Sequence, residues 1–331
     1  MGDTRERAVV AGASGFIGRR LVRELDDRGY EVVCIGRTGP DARWDDDTAV
    51  RALIDGAALV INLAGKSVDC RYTDRNRNEI LRSRIDTTRQ LRRAIKTSTQ
   101  PPRVWLNAST ATIYRYALDR PMTETHGELG TGFSADIAHN WENDFFGGDL
   151  PGTRRMALRM AIVPGDGPAT AILVRLARLG LGGPQVDGRW FPHRRYRGIG
   201  VAQPTGDGKA PTHHSRGRQR FSGIHIDDVV ASIRFIVARD ELTGPVNLAA
   251  PHPSDNRRLM STLRRSVGAR LGMPAFRWML EPAMWLLRTE PELVLKSRWV
   301  EPERLVAAGY RFLWPDLEPA IDDVVTRTAR S

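Results

Sequence analysis

The chain has 331 residues, 41% hydrophobic and 27% charged, with 31 Gly, 20 Pro and two cysteines, Cys34 and Cys70. This composition excludes a disulfide-stapled miniprotein, a cysteine-based zinc module and a disordered or collagen-like chain. The formal charge of +11 points to an anionic partner such as a phosphorylated cofactor, a small anion or nucleic acid.

The chain opens as strand, glycine turn, helix, strand. Ala8-Val9-Val10-Ala11 is the short apolar run of a buried parallel strand, and Gly12-Ala13-Ser14-Gly15-Phe16-Ile17-Gly18 follows at once. Ile17, Leu21 and Leu25 then recur every four residues opposite Arg19, Arg20, Arg23 and Glu24, which predicts an amphipathic helix stopped by Gly29. Glu31 to Ile35 is the second strand, and further apolar runs lie at Leu59–Leu63 and Val104–Ala108, separated by a long polar helix over 74–95. Strands alternating with helices predict an α/β fold, a Rossmann doubly wound parallel sheet.

After Arg159 the pattern changes. A helix is expected over 169–179, followed by a glycine-rich, basic and weakly periodic stretch to Gly223, the texture of a functional or disordered loop. Ile224 to Val237 reads as strand and helix, with His225, Asp227 and Asp228 placed on the strand. Beyond Pro251, amphipathic helices alternate with Pro-rich joints. The expected organisation is a dinucleotide-binding domain over 1–165, to which 222–250 returns, and a smaller C-terminal α/β substrate domain over 166–331 with a basic insertion at 185–216.

The first residues hold no apolar signal segment, and the most apolar later stretch, 278–287, is broken by Glu281 and Pro282. The expectation is a cytoplasmic protein with no membrane partner, either monomer or homodimer. Two segments carry the charge excess: Arg71 to Lys96 has nine basic and three acidic residues, and Gln185 to Arg218 has seven and two. Only four basic residues are lysines: Lys66, Lys96, Lys209 and Lys296. A solvated surface explains such runs most simply, while Trp190, Phe191 and Tyr196 among the arginines leave single-stranded nucleic acid as a third reading.

Gly12, Gly15 and Gly18 between a strand and a helix have a mechanical purpose: a tight turn, close backbone approach to a pyrophosphate, and close helix–strand packing. Ser14, Phe16 and Ile17 complete the turn, and the helix N-terminus favours phosphate. An NAD site normally places a carboxylate at the end of the second strand, whereas this chain has Gly36-Arg37-Thr38. A carboxylate repels a 2′-phosphate and a guanidinium binds one, so NADP(H) is the expected cofactor, with Arg37 as its selector.

With Asn62-Leu63-Ala64-Gly65, Ser83-Arg84, Trp141-Glu142, Leu158-Arg159, Gly182-Gly183-Pro184, Ile224-His225-Ile226-Asp227-Asp228 and Gly309-Tyr310-x-Phe312, the chain resembles the extended short-chain dehydrogenase/reductase superfamily, in its atypical epimerase-family branch. The resemblance covers nearly the whole chain, including a C-terminal domain of unknown function. It implies that the Asn62 to Gly65 turn, with Leu63, Ala64 and Gly65 as cofactor contacts, lies against the adenosine side of the cofactor and that the segment after Leu158-Arg159 passes its nicotinamide end. Lys66, Ile113, Arg115 and Ala138 depart from the branch pattern around the substrate pocket, so substrate identity does not carry over.

Enzymes of this superfamily use Tyr-x-x-x-Lys as their proton donor. None of the six tyrosines here has a lysine four residues on, and the aligned residues are Phe133 and Ile137. The hydroxyls left at the carboxyl end of the fourth long strand are Ser109, Thr110 and Tyr114. Thr110 aligns with the substrate-orienting Ser/Thr, and Tyr114 is the nearest phenol that could act as acid. Asp136 and His139 fall at i and i+3, readable as an exposed helix face. His225 with Asp227 and Asp228, and the pair His213-His214, lack the three or four converging ligands of a metal site. The expected function is an oxidoreductase or epimerase-like protein acting on a small carbonyl or carbinol, anionic if Arg194, Arg195 or Arg197 holds it. A catalytically inactive NADP(H)-binding sensor is the alternative.

Overall fold

The apolar runs become the central strands of a seven-stranded parallel sheet. A computed structural model describes residues 5–165, 170, 173–174, 177–178, 180, 182–200, 203–288 and 290–330. The sheet contains β1 (Arg7–Ala11), β2 (Glu31–Gly36), β3 (Ala42–Arg43), β4 (Leu59–Asn62), β5 (Val104–Thr110) and β6 (Arg154–Met160). Outside it, next in the chain, lie β7 (Gln185–Val186) and β8 (Arg220–Phe221), and β9 (Gly244–Leu248) returns to pair with β6. The order is β3-β2-β1-β4-β5-β6-β9, and every pairing is parallel. This is the Rossmann α/β fold.

Alternation of side chains explains why the strands are apolar throughout. Ala8 and Val10 of β1 enter one core with Leu21 of α1 (Phe16–Asp27) and with Val229 and Ile233 of α5 (Ile226–Val237). Val9 and Ala11 enter the other. There they meet Val50 of α2 (Asp47–Ile54), Leu91 of α3 (Asp74–Lys96) and Phe145 of α4 (Phe133–Phe146). A sheet covered on both faces needs apolar residues at both parities. The Thr73 hydroxyl opens α3 by accepting from the Asn76 amide at 3.2 Å.

The strand order reverses between β1 and β4, so the loops after these two strands diverge and leave a crevice at their carboxyl ends. This is where the glycine turn and the Leu63–Gly65 segment lie.

The C-terminal part packs α6 (Asn256–Ser266) against α10 (Leu317–Arg330) through Leu259, Leu263, Ile321 and Val325. Between them in sequence lie β11 (Ala275–Phe276), α7 (Arg277–Leu286), α8 (Glu292–Leu295) and α9 (Glu303–Ala307). Two small sheets add to this part: β11 with β7, and β8 with β10 (Ser254–Asp255). Of the helix expected over 169–179, Thr170, Leu173, Val174, Ala177 and Arg178 are helical, and the rest lies outside the described residues.

The strand expected at 224–228 is not formed. His225 is the N-cap of α5, its Nδ1 accepting from the Asp227 amide at 3.2 Å, and Asp227 and Asp228 sit in the first turn, where carboxylates suit the helix dipole. His225 Nε2 meets Asp323 of α10 at 3.1 Å, and Asp228 accepts from the Leu313 and Trp314 amides, each at 2.8 Å. These residues clamp the C-terminal part onto the sheet domain. Among the described residues no cluster of three or more His, Cys, Asp or Glu could hold a metal, and no helix is long and apolar enough to cross a membrane.

Candidate functional site

The glycine turn is closed tightly enough to exclude side chains. Gly12 has φ +84°, and a Cβ there would stand 2.8 Å from the Leu63 carbonyl carbon; one on Gly18 would stand 2.4 Å from the Gly12 oxygen. The first requirement brings the loop after β1 against the loop after β4, and the second brings α1 against the turn. Gly15 caps α1 with no side chain bonded to the first-turn amides, which leaves those N–H groups for an anion. Ser14 is exposed at the turn, Phe16 stacks against Gly165, and Ile17 joins the core beneath.

Asn62 shapes the facing loop. Its Oδ1 accepts from the Ala64 amide at 3.0 Å, and its Nδ2 donates to Asn107 Oδ1 at 2.7 Å. Gly65 then passes the Arg84 guanidinium, where a Cβ would come within 3.3 Å. Arg84 lies over the Trp141 ring at 5.0 Å and donates to the Lys66 and Ile80 carbonyls, while burial pushes it down to about 10. Arg37, just past β2, is exposed and has no ion-pair partner among the described residues.

The three expected catalytic hydroxyls part company. Ser109 is buried and donates to Glu142 Oε1 at 2.5 Å. Tyr114, also buried, donates to Asn247 Oδ1 at 2.9 Å and accepts from Arg159 Nη1 at 2.8 Å, and burial raises its phenol above the usual range. Both hydroxyls are held in an interior network. Thr110 stays clear of it: half-buried at the end of β5, it accepts from the Thr112 amide and donates to the Thr112 hydroxyl, each at 3.1 Å. At the dyad positions Phe133 packs on Tyr72, ring centroids 4.6 Å apart, and Ile137 is buried beside it.

A cavity of about 180 Å3 opens between the sheet domain, the insertion and the C-terminal part, lined by Arg115, Tyr116, Tyr196, His213, Arg277 and Lys296 among others. The described residues of the insertion make packed contacts. Asp136, expected on an exposed face, is buried and accepts from the Thr205 amide at 2.8 Å and its hydroxyl at 2.5 Å. Arg77 donates to the Arg194 and Arg197 carbonyls, each at 2.6 Å. Arg195 pairs with Glu281 and Glu290 in the interior and is committed to structure, whereas Arg194 meets Asp74 on the surface and Arg197 is exposed. His139 is half-buried with its Nε2 unbonded, and burial holds its pKa down.

The basic run on α3 is similarly committed. Arg77 and Arg84 turn inward, while Arg89 and Arg92 engage Asp144, which leaves less free charge for a nucleic-acid backbone than the sequence suggests.

Sequence reasoning missed Lys296. It enters the cavity from the C-terminal part, and its Nζ donates to the Thr112 carbonyl at 3.0 Å. Arg298 Nε lies 3.4 Å from the Thr112 hydroxyl, and Glu292 accepts from Ser134 at 3.1 Å. The available signal was compositional: a lysine in a chain that otherwise prefers arginine.

Known proteins resemble this chain over nearly its whole length. A family model described as NAD dependent epimerase/dehydratase matches residues 8–132, and one described as a domain of unknown function, DUF1731, matches 275–324. The epimerase family protein SDR39U1 of Bos taurus is 31% identical, over 96% of this chain and 99% of that protein. The epimerase family protein YfhF of Bacillus subtilis is 27% identical, over 96% and 97%. Among solved structures, human epimerase family protein SDR39U1 (isoform 2) with NADPH superposes with a TM-score of 0.78 at 26% identity, over 97% of this chain and 99% of that one.

Proposed function

The chain belongs to the epimerase family of the short-chain dehydrogenase/reductase superfamily, and on that premise we propose that it is an NADP(H)-dependent oxidoreductase or epimerase-like enzyme. Its substrate is a small carbonyl or carbinol compound, and its proton donor is not the superfamily dyad. The observation that carries the reading is the closed glycine turn at the β1/β4 crevice, at the same carboxyl end of the sheet as Thr110 and the cavity. The residues fit the cofactor: uncapped amides of α1 for the pyrophosphate, Leu63 to Gly65 for the adenosine side, and Arg37 for a 2′-phosphate. NADPH in the human relative's structure supports the choice of cofactor.

Bound NADP(H) supplies or takes up a hydride at the substrate carbon. The chain's own part is to orient the substrate oxygen with Thr110 and to keep water out with the packed insertion. At about 180 Å3 the cavity is smaller than the usual range for drug-sized ligands, which favours a small substrate.

The test is calorimetric titration with NADPH, NADP+ and NADH, followed by a carbonyl panel on the NADPH-loaded protein. Binding of NADPH with turnover dependent on Thr110 supports the reading. The second reading, an NADP(H)-binding sensor, is favoured by Phe133 and Ile137 at the dyad positions. It gains if NADPH binds and no member of the panel is turned over.

A further inference from the structure

A carbonyl that accepts a hydride also needs a proton at its oxygen, and the α4 positions that would supply it are the hydrocarbon side chains Phe133 and Ile137. The cavity wall offers other groups that exchange protons. The Tyr196 hydroxyl is engaged by Arg195, Arg277 and Glu281. Asp187 pairs with Arg277 at 3.0 Å, and Glu292 accepts from Ser134. Burial pushes Tyr116 up to about 12 and His213 down to about 4, so neither changes protonation near neutrality.

Lys296 differs from all of these. Its Nζ donates one N–H to the Thr112 carbonyl, two residues past Thr110, and it forms no ion pair among the described residues. Two N–H donors remain for a ligand in the cavity it lines. Arg298 reaches the Thr112 hydroxyl from the same side, so two cations stand beside the Thr110–Thr112 hydroxyl pair, while Glu292 and Asp187 are the carboxylates of the cavity wall and Asp187 is paired with Arg277.

Resting on the oxidoreductase reading above, we propose that Lys296 is the proton donor and acceptor at the oxygen of a small anionic carbonyl substrate, brought to the end of β5 from the C-terminal part in place of the missing dyad. In the reducing direction one Nζ–H bond breaks as the O–H bond forms, and the nitrogen keeps its electron pair. The reduced nicotinamide of the proposed function is the two-electron reductant, and the neutral amine regains its proton from water. Burial brings the Lys296 ammonium down to about 8, opposed by Glu292 and reinforced by Arg298, and His139 and His213 also face it. Near neutral pH such an amine both gives and takes a proton.

Only four lysines occur, which makes the test specific. The full-length protein is treated with glyoxylate and sodium cyanoborohydride between about pH 6 and pH 10, and carboxymethylation of each lysine is followed by peptide mass spectrometry. The amine adds to the aldehyde carbon, water leaves, and the imine is reduced to the secondary amine. Lys296 is expected to react at least about tenfold faster than exposed Lys209 at about pH 7.5, with half-maximal rate near pH 8. A rate at or below that of Lys209, or a rise only above about pH 10, overturns the assignment whether or not a cofactor binds. Calorimetry with NADPH on the same protein is read separately, and its failure counts against the underlying function instead. On carbonyl substrates that are turned over, Lys296→Met and Lys296→Arg are both expected to lose at least about 100-fold in kcat, with NADPH affinity within about twofold. An active Lys296→Arg enzyme, which keeps the charge but cannot release a proton, also overturns it.

Discussion

Arg159 at the end of β6 grips Glu142 of α4 with both prongs, Nε to Oε1 at 2.9 Å and Nη2 to Oε2 at 2.7 Å, and their side chains are only 10% and 9% exposed. The pair draws in Ser109 and Tyr114, and through Tyr114 reaches Asn247 of β9, so one network ties β5, β6, β9 and α4 together. Removing one charge strands the other in the interior. Glu142→Ala is expected to cost about 3–5 kcal/mol in urea unfolding. Tyr114→Phe removes a smaller part of the network, so it should cost about 1 kcal/mol and leave turnover within about twofold. A hundredfold fall in kcat for Tyr114→Phe would restore the phenol to a catalytic role.

Arg37 stands exposed, with no ion-pair partner among the described residues, where the cofactor's adenosine ribose is expected. A charge-assisted contact to a 2′-phosphate contributes about 1.5–3 kcal/mol, equivalent to roughly 10–100-fold in affinity. Arg37→Ala should therefore weaken NADPH by that factor and leave NADH within about twofold. Equal weakening of both dinucleotides in calorimetry would show that the side chain does not read the phosphate.

Gly18 tests whether the turn is a cofactor cradle or merely a loop. Its missing Cβ would lie 2.4 Å from the Gly12 oxygen and 2.8 Å from Ala13 Cα, all backbone, so Gly18→Ala must push α1 off the turn. The expected result is a loss of about 1–3 kcal/mol in stability together with loss of NADPH binding. Gly29→Ala is the contrasting variant: its positive φ strains the backbone, but nothing crowds the site. It should destabilise the protein and leave NADPH binding intact.

The sheet was legible because its signal is local. Parallel strands buried on both faces leave unbroken apolar runs such as 8–11 and 59–62, and α1 shows its period between Ile17 and Leu25. β3, two residues long, and α2 are too short to leave such a signal. At 224–228, strand alternation and a helix N-terminus gave the same local pattern, and only the tertiary setting of His225 and Asp228 separates them. The glycine turn was readable because glycine spacing encodes a backbone geometry. The Lys296–Thr112 contact was not, because it spans 184 residues and no local pattern records it. Ser109 and Tyr114 also have partners that no local pattern records, because Glu142, Arg159 and Asn247 are distant in sequence.

His213 should give stability an acid-side slope. Its ring is stacked on Tyr116 with centroids 3.4 Å apart and planes 8° from parallel, and burial, with Lys296, Arg277 and His214 nearby, lowers its pKa from 6.5 to about 4. The unfolded chain therefore binds the proton more readily than the folded one between about pH 6.5 and about 4. The stability that the neutral ring contributes is complete above the upper value and is lost as pH falls towards the lower one. At 1.36 kcal/mol per pKa unit the loss is on the order of 3 kcal/mol. His213→Phe keeps an aromatic ring against Tyr116 and removes the titration. The difference in unfolding free energy between the native protein and this variant should shift by that amount between pH 7 and pH 4 and change little below. A constant difference across the range would mean that His213 is charged in its stack or that the cavity admits enough water to solvate it.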